Sequence, residues 1–492
     1  MKALFVCVLV AAAAFAEDYP QWGRTHDRNM ISPEKNLPDA ISVHFGSNGI
    51  IKRLSTNFLW AAPVGYYTFG NPTVADGRLF IGTSRYKPTT AKYAGDRGVL
   101  TCLDAMTGQF VWQISIPRYG SGGFLSEYPL GMCSPPTVEN GRVYFAGYNA
   151  EIICADINGL SNGNEGPFTN EASFYSPSNR VKLDNTDGDI VWRFDVYKAF
   201  GVMPHDGYSS APLIIGDLLF ANTGVGTTRR HKDKPPMTNA PALIVLDKRT
   251  GAFIAGDEER MATNTKHGTW CSPSFAKAGG KELVLFGGGN GICYAFEKNP
   301  VITNKEQRTG SLRTVWKYNL NLARGTNHKP SDIIATPVCV GNRVYTALGE
   351  DWTHRSRQGL LVCIDATKTG DITTSGAVWA YTNIALSVAN AAVADGLLYT
   401  TDLAGIIHCL DAANGTVYWT FDSGYGIYQS ALVADGKVYF GNGKGQFYIL
   451  AHGKTLKVLS STYLRMEMCG APVAANGVLY TAVYGTVFAF KK

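Results

Sequence analysis

Apolar and polar positions along this chain recur in a block whose shortest copies span about forty residues, rather than in one long periodic stretch. Eight times a short apolar run, usually opened by a small residue and Pro or Ala, leads to a Gly turn and then to an aromatic-rich run. Asn71-Pro72-Thr73-Val74-Ala75-Asp76-Gly77-Arg78-Leu79-Phe80 and Ala431-Leu432-Val433-Ala434-Asp435-Gly436-Lys437-Val438-Tyr439-Phe440 are the clearest copies. Short apolar runs separated by Gly or Asn turns predict antiparallel strands joined as hairpins. Each block is then one small sheet that buries its faces only against neighbours of the same kind. The innermost strands are predicted to begin near Gly70, Cys133, Ser209, Trp270, Ile333, Ser387, Tyr428 and Met468. Second strands follow the turn, as in Gly141-Arg142-Val143-Tyr144-Phe145, and third strands run up to an Asp, as in Val99 to Asp104. Fourth strands carry Trp112, Trp192, Trp316, Trp379 and Trp419.

The eighth block ends at Lys492 after three strands, whereas Asn57 to Pro63, with Trp60, is a lone strand at the other end. Pairing the two removes both open edges. The expected fold is all-β: an eight-bladed β-propeller with four-stranded blades, closed by an N-terminal strand that joins the last blade. It would occupy residues 57–492 as a single domain. Residues 17–56 have little periodicity and are expected to lie over the ring as a leader. Long insertions at 84–98, 159–189, 224–240 and 349–359 are of a length usually tied to function or disorder.

Met1-Lys2-Ala3, an apolar run to Ala13 and the small-residue site Ala14-Phe15-Ala16 read as a secretory signal peptide over residues 1–16, too short to anchor in a bilayer. The expected location is periplasmic or extracellular. A formal charge of +6 over 492 residues is too dilute to imply a nucleic-acid partner. Gly at 54 positions and 12% aromatic residues suit a turn-rich β protein. Export invites a disulfide reading of the cysteines. However, Cys102, Cys154, Cys363 and Cys409 fall at one equivalent strand position, with Cys293 read as its counterpart, and Cys133, Cys271 and Cys469 fall at another, at the start of innermost strands. Equivalent positions on different blades lie too far apart to bond, so these are expected to be buried, reduced thiols.

Cys102-Leu103-Asp104-Ala105-Met106-Thr107-Gly108-Gln109-Phe110-Val111-Trp112 recurs as Cys409-Leu410-Asp411-Ala412-Ala413-Asn414-Gly415-Thr416-Val417-Tyr418-Trp419. The Asp accepts backbone donors at a tight turn, the Gly permits positive φ, and the Trp can reach a neighbouring sheet. The pattern resembles the tryptophan-docking motif of propellers of the quinoprotein alcohol dehydrogenase-like superfamily, which bind pyrroloquinoline quinone (PQQ) and also include the outer-membrane assembly propeller lipoprotein. Tyr19-Pro20-Gln21-Trp22-Gly23-Arg24, with Ser32-Pro33-Glu34 after it, is similar to the start of secreted bacterial members. In the enzymes of that superfamily the quinone lies between a Trp and a disulfide of adjacent cysteines, near a Ca²⁺ held by Glu, Asn and Asp. In this chain no two cysteines are adjacent and no Cys-x-x-Cys-His is present.

Residues placed to reach the channel mouth are Tyr66, Tyr67, Glu127, Tyr128, His205, Asp206, His267, His328, Asp332, Tyr425, Tyr428, Arg465 and Glu467. Imidazoles on separate strands can build a Zn²⁺ or Cu²⁺ site. A loop His bonded to backbone or water is the commoner arrangement, and no metal is assigned. Arg85, Arg97, Arg229, Arg230, Arg355 and Arg357 make the loops between second and third strands basic, which would favour an anionic ligand if they converge. Trp352 and His354, beside Glu350 and Asp351, could stack on a ring or pin their own loop. Gly287 to Gly291 joins two strands and is read as a tight turn, not a phosphate loop. The reading is a monomeric, non-catalytic binding or assembly scaffold without a cofactor or a transmembrane segment, recognising a protein, glycan or small anionic ligand. A periplasmic PQQ and Ca²⁺ dependent oxidoreductase, acting on alcohols or sugars, is the alternative, and a structural protein of the cell envelope the second.

Overall fold

The computed structural model describes residues 17–45, 51–54, 57–85, 92–93, 95–118, 130–177, 181–227, 237–265, 267–350 and 357–492. Eight antiparallel sheets form the blades, each with four blade strands, in sequence order in blades 1 to 7. Blade 1 comprises Thr73–Ala75, Arg78–Arg85, Arg97–Asp104 and Phe110–Pro117, and blades 2 to 7 repeat it. Blade 8 comprises Val473–Ala475, Val478–Val483 and Thr486–Phe490, and its fourth strand is Phe58–Pro63. Ala489 pairs with Trp60 and Phe488 with Ala61, so the two ends of the chain close the ring as expected.

The innermost strands begin three to five residues later than the sequence predicts, at Thr73, Thr137, Leu213, Ser274, Val338, Ala392, Leu432 and Val473. In six of them a proline stands directly before the first paired residue: Pro72, Pro136, Pro212, Pro273, Pro337 and Pro472. Proline has no amide to give, so the ladder starts only after it. Cys133, Cys271 and Cys469 therefore lie on the segments approaching these strands and not at their starts.

A bulge recurs between third and fourth strands of every blade, at Cys102/Leu103, Cys154/Ala155, Val245/Leu246, Ala295/Phe296, Cys363/Ile364, Cys409/Leu410, Ile449/Leu450 and Ala489/Phe490. The residue before the bulge faces the fourth-strand Trp. It is Cys opposite Trp112, Trp192, Trp379 and Trp419, and Ala opposite Trp316 and Trp60. Blades 3 and 7 lack the Trp, pairing Ala255 with Val245 and Ser460 with Ile449. A small residue thus leaves room for an indole, and a β-branched one fills the space where no indole comes. By this register the counterpart in blade 4 is Ala295, and Cys293 lies two residues earlier on the same face of its strand. All nine cysteines outside the first sixteen residues are buried and unbonded to one another.

Three sheets gain extra strands that cover their edges. Ile31–Ser32 joins the inner edge of blade 7, while Val301–Asn304 with Thr309–Ser311, and Gly370–Asp371, extend the outer edges of blades 3 and 4. Among the described residues no helix is long and apolar enough to cross a membrane.

Candidate functional site

The leader bonds to the innermost strands of most blades, and the candidate residues lie on other segments of the chain. Tyr19 bridges to Val74 in blade 1, and the Pro20 carbonyl accepts from Val138 N in blade 2. The Arg28 guanidinium, fully buried, donates to the carbonyls of Pro212 and Pro273 in blades 3 and 4 at 2.8 and 3.1 Å. Asn29 exchanges bonds with Val393 of blade 6, and Glu34 accepts from Asn476 and Gly477 of blade 8. These contacts all lie along the innermost strands or just beyond them. The candidate residues lie upstream, where the chain enters those strands.

His205, Asp206 and His267 converge there, with their ligand atoms all within 4.8 Å of one another. His205 Nε2 lies 3.3 Å from Asp206 Oδ2, and His267 Nε2 lies 3.9 Å from the same oxygen. Three segments are stitched together to hold this geometry. His205 Nδ1 donates to the Thr227 carbonyl at 3.0 Å; Thr227 gives its amide and hydroxyl to the His267 carbonyl at 2.7 and 3.0 Å; Trp270 Nε1 donates to the His205 carbonyl at 3.0 Å. The Trp270 ring meets His267 edge-on at 4.8 Å. Gly226 permits the approach, since a Cβ there would fall 2.8 Å from the His267 carbonyl oxygen and 2.9 Å from the His205 Cβ.

Asp332, on the approach to blade 5, is buried, and neither carboxyl oxygen makes a hydrogen bond of good geometry. Burial, and then the charge of Glu350, push its pKa well above its ordinary value, against the Gly268 amide and Arg357. Arg357 pairs with Glu350 and donates to the Lys329 carbonyl at 2.9 Å. His328 is half-buried and is not one of the three converging groups.

A second feature spans blades 7, 8 and 1. Tyr425 and Tyr428 flank Gly443, with Lys444 Nζ 5.2 Å from the Tyr425 ring. Leu464 N bonds to the Gly445 carbonyl, bringing the exposed Tyr463 and Met466 alongside. Tyr484 N bonds to the Glu467 carbonyl, and its ring meets Tyr67 at 5.0 Å and Phe69 at 5.6 Å; Tyr66, 45% exposed, stands against Tyr67 at 4.5 Å. Burial raises the Glu467 pKa above its ordinary value against the Tyr484 hydroxyl.

The basic loops do not form one described patch. Arg97 is buried, donating to Ser115 Oγ at 2.7 Å and to the Ser115 and Tyr175 carbonyls, with its guanidinium 4.9 Å from the Tyr93 ring centroid. Glu127, Tyr128, Arg229, Arg230, Trp352, His354 and Arg355, and the side chain of Arg85, lie outside the described residues. Sequence reasoning missed Trp270 and Thr227, which position the histidines, and Met466 and Tyr484 of the aromatic rim. It also missed Arg28, although that residue lies four positions past the Tyr19 to Arg24 signature.

Glu151 is a further buried acid that the repeat pattern could have exposed. Equivalent turns before third strands are closed by Asp402 and Asn442, whose side chains accept the amides of Ala404, Gly405 and Ile406, and of Lys444 and Gln446. Blade 2 has Gly147 at that place, and Glu151 reaches back instead to accept from Asn149 N at 2.8 Å. Burial raises its pKa from 4.5 to about 7. The folded protein then holds a proton that the unfolded chain releases above pH 4.5, so stability falls as pH rises through this window. The full cost, about 3 kcal/mol, is present above pH ~7. Glu151→Gln should match the parent near pH 4 and exceed its unfolding free energy by about 2–3 kcal/mol at pH 8. Urea titrations at both pH values measure this, and an equal effect at both would refute it.

A family model described as outer membrane protein assembly factor BamB matches residues 47–161 and 168–421. Among solved structures, BamB from Moraxella catarrhalis superposes with a TM-score of 0.53 at 15% identity, covering 88% of this chain and 99% of that one. A europium-containing methanol dehydrogenase gives 0.59 at 13% identity, with 97% and 98% covered. The computationally designed Ika8 protein gives 0.52 at 10% identity, with 89% and 100% covered. At such identities the likeness is one of fold. Comparison with curated proteins found no match.

Proposed function

This chain belongs to the PQQ_2 family, described as outer membrane protein assembly factor BamB, and from that premise we propose an exported, monomeric, non-catalytic binding or assembly scaffold of the cell envelope. Its partner is a polypeptide, and the aromatic rim is the surface that recognises it. The observation that carries this reading is the composition of the rim. Tyr66, Tyr425, Tyr428, Tyr463 and Met466, with Lys444 against Tyr425, form a surface rich in the aromatic and Met side chains enriched in protein interfaces. A glycan or small anionic ligand is less well matched, because Arg97 and Arg357 are engaged with the protein's own groups. We read the indole contacts between blades as the tryptophan-docking motif, which keeps the rim rigid.

The donor set does not favour the oxidoreductase alternative. A Ca²⁺ ion takes six to eight oxygens, whereas two of the three converging donors are imidazole nitrogens. None of the nine cysteines is paired, so no disulfide covers a quinone face. The described residues do not fit that group, and no step is derived through it.

A photo-cross-linker placed at position 425 in cells should give one discrete protein adduct. The double variant Tyr66→Ala/Met466→Ala should weaken binding of that partner about 30-fold, the effect of a ~2 kcal/mol hot spot. Absence of an adduct would overturn the proposal, as would dye reduction with alcohols or sugars after adding the quinone and Ca²⁺.

A further inference from the structure

We propose that His205, Asp206 and His267 form a binding site for a first-row divalent cation of the Zn²⁺ type at the channel mouth. The site is separate from the aromatic rim and does not depend on its role. Its first support is the tautomer of His205. The Thr227 oxygen is a carbonyl and can only accept, so His205 Nδ1 carries the hydrogen of that 3.0 Å bond. Nε2 is then the ring nitrogen that faces Asp206 Oδ2, at 3.3 Å. His267 brings its own Nε2 to 3.9 Å from the same oxygen, so one cation placed among the three groups would meet two imidazole nitrogens and a carboxylate.

Spacing is the second support. Ligands of a tetrahedral ion with bonds of ~2.1 Å stand about 3.4 Å apart. The donors of this cluster lie 3.3 and 3.9 Å apart in two pairs and within 4.8 Å throughout, so side-chain shifts of about an ångström would close them on an ion. The third support is preorganisation. A metal-bound His commonly gives its other nitrogen to a backbone carbonyl, as His205 does to Thr227. Thr227 in turn holds the His267 carbonyl through both its amide and its hydroxyl, and Trp270 ties His205 and His267 together. Asp206 adopts φ of +53°, a conformation Asp tolerates better than most residues. Two imidazoles and one carboxylate select Zn²⁺, Cu²⁺ or Fe²⁺ over Ca²⁺ and Mg²⁺. Three protein donors also leave a coordination position open to water or to a donor atom of a ligand entering the mouth.

The test uses the whole purified chain, stripped of metal with a chelator and titrated calorimetrically with Zn²⁺. One equivalent is expected, and millimolar Ca²⁺ or Mg²⁺ should not compete. Co²⁺ in place of Zn²⁺ should give visible ligand-field bands without a thiolate charge-transfer band, which separates this site from the nine cysteines. His267→Gln and Asp206→Asn should each weaken binding at least about 100-fold while leaving the circular dichroism spectrum unchanged. If His267→Gln does not fold, Asp206→Asn, whose side chain is partly exposed, carries the comparison alone. Substoichiometric binding, unchanged affinity in Asp206→Asn, a thiolate band or displacement by Ca²⁺ would each overturn the proposal.

Discussion

Replacing Arg28 with alanine is expected to cost about 3–5 kcal/mol of stability, an effect that only the loss of Trp60 should rival. The guanidinium is buried with no exposure between the leader and blades 3 and 4, and supplies four hydrogen bonds: to the carbonyls of Pro273, Trp22 and Pro212, and to Gln21 Oε1. Burial lowers its pKa from 12.5 to about 9, so holding the charge there is itself costly. The acceptors decide the balance. Truncation leaves three buried oxygens without a donor, since the Pro212 carbonyl still accepts from the Thr137 hydroxyl; each is worth about 1–3 kcal/mol when unsatisfied, and water entering the void restores only part. Arg28→Lys keeps the charge but reaches fewer acceptors, and should fall between the parent and alanine. Denaturant midpoints measure the loss, and hydrogen exchange in residues 17–37 should rise with it. A change under about 1 kcal/mol would mean that the leader merely rests on the ring.

The leader also marks the boundary of what the sequence could reveal. Blade number, closure and the Trp register follow from a repeat, because a unit that cannot bury its faces alone has to recur wherever the ring has a blade. The leader occurs once. Its role depends on reaching Val74, Pro212, Val393 and Ala474, residues far apart in the chain, and no local pattern encodes such contacts. Strand starts failed for a local reason that was legible: Pro136 and Pro337 stand where the ladder has to wait for an amide.

The candidate site divides in the same way. His205, Asp206 and His267 could be placed at the mouth because each precedes an innermost strand. Their convergence could not be foreseen, since it depends on Thr227 at the edge of an insertion and on how closely Gly226 lets that segment approach. His328, chosen on the same positional argument, does not join them, because position before a strand fixes the height along the channel and not the direction of the side chain. Arg97 shows the converse. Its neighbours in sequence suggest a basic loop, but it is the first residue of a third strand and turns inward to Ser115.

Trp60→Ala is expected to cost about 3–5 kcal/mol and to loosen the seam between blades 8 and 1. Trp60 belongs to the strand that carries the beginning of the chain into the last blade, and its indole lies on the turn of blade 1. Its Nε1 donates to the Ala105 carbonyl at 3.1 Å, and a Cβ on Gly108 would fall 2.6 Å from the ring. Corresponding bonds run from Trp112 to Ile157, Trp192 to Lys248, Trp379 to Ala412 and Trp419 to Gly453. Trp316 is the exception: its Nε1 is buried without a partner. Phenylalanine substitutions exploit the difference. Trp112→Phe loses a good bond and leaves a carbonyl unsatisfied, for about 1–2 kcal/mol beyond its change in volume. Trp316→Phe removes an unsatisfied donor, so the cost of its smaller ring is offset and the variant should stay within about 1 kcal/mol of the parent. Hydrogen exchange in Trp60→Ala should rise together in residues 58–63 and 486–490, because a ring with one seam opens there first. Equal costs for Trp112→Phe and Trp316→Phe would show that the indoles act through ring packing alone, and the bonds from blade to blade would then add nothing measurable to closure.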